Sequence, residues 1–159
     1  MTTTVRRLGP DDWELARAVR LDSIRDGFGG DSDFLREEAA LDEVAWREVL
    51  HRHARFAALS DDGGGRAAVG TVGWRPHRSG GADAGHLYGM WVHPEHRGTG
   101  LSRLLVGAVV HLSREQGYAA LDLKVEPANA HAIAVYRRIG FAVVESPPGG
   151  LVVMRCPLP

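Results

Sequence analysis

The sequence is poor in cysteine, in lysine and in long apolar runs. Cys156 is the only cysteine among 159 residues, so the chain cannot form an internal disulfide, and we expect a reducing compartment. No apolar run approaches the roughly 20 residues that a membrane-spanning helix requires, and the polar first residues lack the apolar centre of a signal peptide. We therefore expect a cytoplasmic protein that makes no contact with a membrane.

The chain also lacks an excess of charge of either sign. Its 19 Lys and Arg residues face 20 Asp and Glu residues, which gives a formal net charge of -1. Lys124 is the single lysine, and such a preference for arginine, with many alanines and glycines, is typical of a GC-rich bacterial genome. A protein without a basic surface is not expected to bind nucleic acid, so an anionic ligand would need a local site.

Apolar periodicity and turn residues predict alternating strands and helices. The predicted strands cover residues 3–8, 55–60, 67–75, 86–92, 120–125, 141–145 and 151–156. The predicted helices are one that opens at residue 10, one or two short ones over 34–50, and two more over 98–115 and 128–139. Glycine-rich stretches predict loops at 26–33 and 79–85 and a hairpin turn at 61–65. This order indicates one mixed α/β domain spanning residues 1–159.

The stretch Arg97-Gly98-Thr99-Gly100 follows a predicted strand and precedes an amphipathic helix. Unpaired amides at a helix N-terminus attract anions, and glycines let the backbone approach a phosphate without an intervening Cβ. Arg97 and Arg103 could add positive charge. The stretch has neither the GK[ST] ending of a Walker A loop nor the third glycine of a dinucleotide fingerprint. It is either a phosphate site of another kind or an ordinary helix start with turn glycines.

A second stretch, EPANAHAIAVYRRIGF, covers residues 126–141. Asn129, Ala132 and Tyr136 recur at spacings of three and four, which predicts that they share one helix face. Such a stripe is more often part of a core than of a site. Buried Asn and Tyr side chains, however, each carry a polar group that needs a partner.

Together the two stretches resemble the GNAT superfamily of N-acetyltransferases. Residues 97–102 are similar to the family's [QR]-x-x-G-x-[GA] loop, with Ser102 where Gly or Ala is usual. Val92-His93-Pro94 resembles the exit of the family's fourth strand, and residues 129–141 match the N-x-x-A-x-x-x-Y-x-x-x-GF segment. The resemblance implies a mixed central sheet of about six or seven strands that splays between strands four and five, flanked by about four helices.

The resemblance also implies acetyl-coenzyme A as cosubstrate. Backbone amides of the loop would bind its diphosphate, the main chain of the fourth strand would pair with its pantetheine arm, and an N–H near Met90 or Trp91 would stabilise the oxyanion. Tyr136 would act as general acid and protonate the departing thiolate. The predicted cofactor-binding residues are Met90, Trp91, Val92, Arg97, Gly98, Thr99, Gly100, Leu101, Ser102, Arg103, Asn129 and Ala132.

The general base is left open by the sequence. Lys124 occupies the strand position at which some family members carry a carboxylate. Glu126 lies two residues further on, so an extended strand would place it on the same face as Lys124. Glu126 is our candidate for the general base. His86, Tyr88 and a chain of waters without a single base are the alternatives.

The acceptor is expected to contact the segment between the first helices. There Phe28-Gly29 resembles an aromatic-glycine pair found in bacterial relatives, and Phe28, Gly29, Trp74, His86 and Tyr88 are the predicted substrate-binding residues. A group of acidic residues could attract a cationic amine or could simply be a solvated face: Asp26, Asp31, Asp33, Glu37 and Glu38.

No metal is expected. The pairs His51/His53 and His93/His96 have no evident third ligand in the sequence.

The function that these features predict is transfer of acetyl from acetyl-CoA to the primary amine of a small molecule. A protein acetyltransferase acting on an N-terminus or a lysine remains an alternative. So does a regulatory module that binds acyl-CoA without catalysis. A homodimer is compatible with the sequence.

Overall fold

The computed structural model describes residues 2–61, 66–76 and 84–159. Within them the chain forms strands β1 (Thr2–Leu8), β2 (Ala54–Asp61), β3 (Arg66–Pro76), β4 (Ala84–Val92), β5 (Ala120–Val125), β6 (Ala142–Glu145) and β7 (Val152–Pro157). The helices are α1 (Trp13–Phe28), α2 (Asp33–Ala39), α3 (Glu43–Arg52), α4 (Leu101–Glu115) and α5 (Ala130–Ile139). Single-turn 3-10 helices at Pro10–Asp12 and Pro94–His96 precede α1 and follow β4.

The seven strands form one mixed sheet in the order β1-β2-β3-β4-β5-β7-β6. β1 pairs antiparallel with β2 from Thr2↔Asp61 to Leu8↔Arg55. β4 and β5 are parallel, and among the described residues their ladder runs only from Ala84↔Ala120 to His86↔Asp122. β5, in contrast, pairs with β7 along its entire length. The predicted fold class, a mixed sheet in which the fourth and fifth strands part, is confirmed.

Backbone contacts divide the chain into two units, Met1–Gly73 with Gly89–Ala108 and Trp74–Tyr88 with Val109–Pro159. In the first unit, the core joins helices α1 and α3 to strands β1 and β2. Its fully buried members are Leu8, Ala16, Trp46, Leu50, Ala57 and Leu59. A smaller cluster of Leu21, Ile24 and Leu35 joins α1 to α2. These apolar contacts hold the last turns of α1, which carry Asp26.

The core of the second unit is built on β5 and β7. Leu121, Leu123 and Met154 on these strands are almost entirely buried. Asp122 is also buried, and both of its oxygens accept hydrogen bonds from Arg155, at 2.7 and 2.9 Å. This two-point bond satisfies a charge that would otherwise be costly to bury.

β6 lies at one end of the sheet order and is short. All four of its residues are exposed, including Val143 and Val144. Its register against β7 shifts between Val143 and Glu145, which marks a bulge.

The boundaries of α1 and β4 correct the sequence prediction. The loop predicted from residue 26 is wrong at its start, because α1 continues through Phe28 and ends where the Gly29 amide donates to Arg25 O at 2.9 Å. Burial of Ile24 against Leu21 and Leu35 holds this last part of the helix. β4 likewise begins at Ala84, inside the loop predicted over 79–85. Residues 77–83, and residues 62–65 of the predicted turn, lie outside the described residues.

Two short helices occupy the region in which one or two were predicted. Ser32 begins α2 by accepting a hydrogen bond from the Leu35 amide at 3.1 Å. Asp42 begins α3 in the same way, with Ala45 as donor at 2.9 Å. Both are helix caps of the kind that short polar side chains form. No helix formed by the described residues is long and apolar enough to span a bilayer.

Candidate functional site

A glycine loop joins the end of β4 to the start of α4. His93 caps the 3-10 turn by accepting the Glu95 amide on Nδ1 at 3.1 Å. Gly98 and Gly100 then adopt φ angles of 78° and 83°, which residues with a Cβ rarely reach. Because of these two positive angles, helix α4 begins at Leu101 and not at about residue 98 as predicted.

The start of α4 presents backbone donors to an open surface. The first helical hydrogen bond runs from the Leu104 amide to Gly100 O at 3.3 Å, so the amides of Leu101 and Ser102 precede the helical ladder. A Cβ at Gly98 or Gly100 would meet no described atom within 4 Å. The loop therefore offers the unpaired amides, the positive helix end and the space that a diphosphate requires. The residues present fit the diphosphate of coenzyme A.

The side chain of Arg97 is bound to the protein at two points. Its Nε donates to Val92 O at 3.0 Å, and its Nη2 donates to Asp26 Oδ2 at 2.8 Å. The positive charge that Arg97 could add to the loop is therefore paired with a carboxylate. Arg103 is exposed in the first turn of α4.

Asp26 receives a second hydrogen bond, from the indole Nε1 of Trp91 at 3.0 Å. That bond lowers the pKa of the Asp26 carboxyl, the bond and charge of Arg97 lower it further, and partial burial opposes them. The two hydrogen bonds therefore favour the ionised form of the carboxylate. The sequence analysis grouped Asp26 with acidic residues that could attract an amine or form a solvated face, and it missed this pairing.

The segment after Asp26 carries the predicted aromatic-glycine pair. The Phe28 side chain is 63% exposed, and its ring meets that of Phe34 edge-on at 5.3 Å between centroids. Gly29 ends α1 at φ 90°. Asp31, Asp33 and Glu37 are exposed, and Asp33 is paired with Arg36. The segment thus presents an exposed aromatic surface beside a solvated and partly neutralised acidic face.

In the second unit, Tyr136 lies on α5, half-buried, with its ring 5.7 Å from that of Phe141. Burial raises the pKa of Tyr136 to about 12, so the phenol keeps its proton at neutral pH. Asn129 is the N-cap residue of α5, so this helix begins at Ala130 and not at Ala128 as predicted. Its Oδ1 accepts the Ala132 amide at 3.1 Å. Glu126 is exposed before this cap.

Three further predicted substrate residues also belong to the second unit. Trp74 is 7% exposed and packs edge-on against Tyr118, and a Cβ at Gly85 would overlap its indole nitrogen. His86 is buried opposite Asp122 in the parallel ladder. Tyr88 is partly buried, with the Arg75 guanidinium 5.7 Å from its ring centre. Contact of these residues with an acceptor remains a prediction.

The ring of His93 contacts the rings of both His96 and Trp91. The ring of His93 lies 5.8 Å from that of His96 and 5.8 Å from that of Trp91. No group of three or more His, Cys, Asp or Glu side chains suited to a metal ion occurs within residues 2–61, 66–76 and 84–159.

The sequence profile of the Acetyltransferase (GNAT) family matches residues 21–141. The chain belongs to this family. A mycothiol acetyltransferase from Saccharomonospora viridis is 35% identical over 126 residues, covering 72% of this chain and 40% of that protein. A streptothricin acetyltransferase from Streptomyces lavendulae is 37% identical over 89 residues, covering 55% of this chain and 43% of that protein.

The chain spans less than half the length of these two curated relatives. Among solved structures, the PaiA N-acetyltransferase of Thermoplasma acidophilum, in complex with coenzyme A, superimposes with a TM-score of 0.78. The alignment covers 99% of both chains at 17% identity. At that identity the likeness establishes the fold.

Proposed function

We propose that this protein is an acetyl-CoA-dependent N-acetyltransferase that acts on the primary amine of a small molecule in the cytoplasm. The observation that carries the proposal is the open glycine loop at the start of α4, in a chain that belongs to the GNAT family. Its amides and positive helix end suit a diphosphate. The mycothiol and streptothricin acetyltransferases among its relatives support a small-molecule acceptor.

The chain's own groups would hold the cosubstrate as follows. The amides of the residues from Gly98 to Ser102 bind the diphosphate, and the main chain of Met90 and Val92 pairs with the pantetheine arm. Asn129 already uses its carboxamide oxygen to cap α5, so we assign its amide nitrogen to the pantetheine or to an ordered water. The bound thioester supplies the activated acyl group.

The reaction forms an N–C bond and breaks a C–S bond, and the electron pair leaves with sulfur. A backbone N–H near Met90 or Trp91 stabilises the developing oxyanion. We assign Tyr136 as general acid, since its phenol keeps a proton to donate towards the departing sulfur. The amine must lose a proton to become nucleophilic, and we assign Glu126 to accept it.

A screen of primary amines tests the proposed activity directly. Amino acids, polyamines, aminoglycosides and amino-sugar thiols would each be incubated with acetyl-CoA while free thiol is followed. We expect at least one small amine to give turnover together with an N-acetylated product by mass spectrometry. Turnover only with peptide N-termini or lysine peptides would instead assign protein acetylation. Binding of coenzyme A without turnover on any amine would favour a regulatory module.

Glu126→Gln tests the general base. The substitution is expected to lower kcat/KM by about 10- to 100-fold and to shift the pH–rate profile, because the proton acceptor is lost. Glu145→Gln is the matched control, since it removes another exposed carboxylate of the same unit. An unaltered pH profile for Glu126→Gln would transfer the role to His86, to Tyr88 or to water.

A further inference from the structure

Asp26 links the end of α1 to two residues that lie 65 and 71 positions further along the chain, Trp91 and Arg97. It lies in the last turn of α1, and its Oδ2 accepts hydrogen bonds from Trp91 on β4 and from Arg97 at the start of the glycine loop. The side chain of Asp26 is 36% exposed and that of Arg97 is 53% exposed. The pair is therefore partly shielded from water.

The bonds fix the backbone at the point where the loop leaves the strand. Arg97 uses two different nitrogens, Nε for Val92 O and Nη2 for Asp26, so its planar guanidinium is held at two points. Trp91 precedes Val92 on the strand, and its indole is held by the same carboxylate oxygen. The next residue after Arg97 is Gly98, the first of the two loop glycines. The Asp26 carboxylate is therefore bonded to the residue that immediately precedes the first loop glycine.

Two roles for Arg97 predict opposite effects of removing the Asp26 charge. If Arg97 bound the diphosphate by charge, the Asp26 carboxylate would compete with that ligand, and its loss would tighten binding. If Arg97 serves to hold the loop, loss of the carboxylate would release the guanidinium and the indole and would weaken binding. The two-point attachment of Arg97 favours the second role.

We propose that Asp26 is a positioning residue for the cosubstrate: by holding Trp91 and Arg97, it preorganises the glycine loop for the diphosphate of coenzyme A. The proposal rests on the proposed function, because it concerns the same loop. The proposal assigns the end of α1 to cosubstrate binding. This role differs from attraction of the amine by acidic side chains.

Calorimetric titration with coenzyme A tests this role. We expect Asp26→Asn to raise Kd about fivefold, the size expected for a partly exposed ion pair with one further hydrogen bond. Arg97→Lys should raise Kd by a similar factor despite keeping its charge, because one ammonium cannot reproduce the two-nitrogen attachment. Asp26→Glu keeps the carboxylate and should remain within about twofold of the wild type.

Asp22→Asn is the matched control. It removes an equal charge from the same helix at a residue paired with Arg25 at 3.2 Å, and it should leave the affinity unchanged. Wild-type or tighter binding by Asp26→Asn, or wild-type binding by Arg97→Lys, would overturn the positioning role while leaving the proposed function intact. If the wild-type protein itself does not bind coenzyme A, the proposed function fails and the inference fails with it. Thermal unfolding of each variant accompanies the titrations, and Arg97→Lys decides the result should Asp26→Asn not fold.

Discussion

Gly100→Val is expected to weaken coenzyme A binding by about 100-fold or more. At φ 83° a β-branched residue is strained by about 1–3 kcal/mol, and relief of that strain would move the loop away from its binding geometry. The added methyl groups would also occupy the open space above the loop, where a Cβ meets no described atom within 4 Å. Strain and obstruction act in the same direction, so we expect this substitution to have the largest effect on binding.

Gly107→Val provides the control for this substitution. Gly107 lies two turns further along α4, is exposed, and leaves a new Cβ free of described atoms within 4 Å. The same chemical change there should leave the Kd for coenzyme A within about twofold of the wild type. Calorimetry with both variants, alongside thermal unfolding, separates loss of the loop from loss of the fold. Unchanged affinity in Gly100→Val would refute the diphosphate assignment.

Tyr136→Phe is expected to lower kcat by about 10- to 100-fold while leaving the Kd for coenzyme A nearly unchanged, because only a proton donor is removed. The phenylalanine ring can keep the edge-on contact with Phe141. Since burial raises the pKa of Tyr136 to about 12, the wild-type phenol is protonated throughout the usual assay range. The deficit should therefore be the same at pH 6.5 as at pH 9, which is a sharper expectation than a loss of activity at one pH.

Tyr118→Phe is the control for the tyrosine. Tyr118 is another half-buried tyrosine of the same unit, with its ring 5.5 Å from that of Trp74, and its replacement should leave turnover close to the wild-type value. The measurement is steady-state kinetics with acetyl-CoA on an amine identified by the screen. Equal turnover by Tyr136→Phe and the wild type would remove Tyr136 from the mechanism and leave it a packing residue.

Much of the fold could be predicted because the signals for strands and helices are local. β5 was predicted at its observed bounds, and the glycines that follow β4 marked the loop before α4. The errors occur where packing against a neighbouring element determines where a helix or strand begins or ends. Three closely spaced glycines suggested a loop from residue 26, but contacts with α2 extend α1 through Phe28.

The site was less accessible to sequence reasoning. Asp26 is 65 residues from Trp91 and 71 residues from Arg97, so no periodicity or motif connects them. One chemical indication of the Asp26–Trp91 bond was present in the sequence. The indole N–H of a Trp on a strand needs a hydrogen-bond acceptor when the side chain is partly buried. The cap of α5 was likewise missed, because spacing alone does not reveal that the Asn129 side chain accepts the Ala132 amide.

The short, bulged strand β6 disfavours association of two copies through the end of the sheet. Edge strands leave a row of unpaired backbone groups that can serve as a template for another chain, and exposed valines increase that hazard. β6 offers four residues, and the bulge between Val143 and Glu145 twists them out of a flat line. An incoming strand could pair with few backbone N–H and C=O groups of β6. This end of the sheet is therefore protected against fibrillar growth, although its valines are exposed.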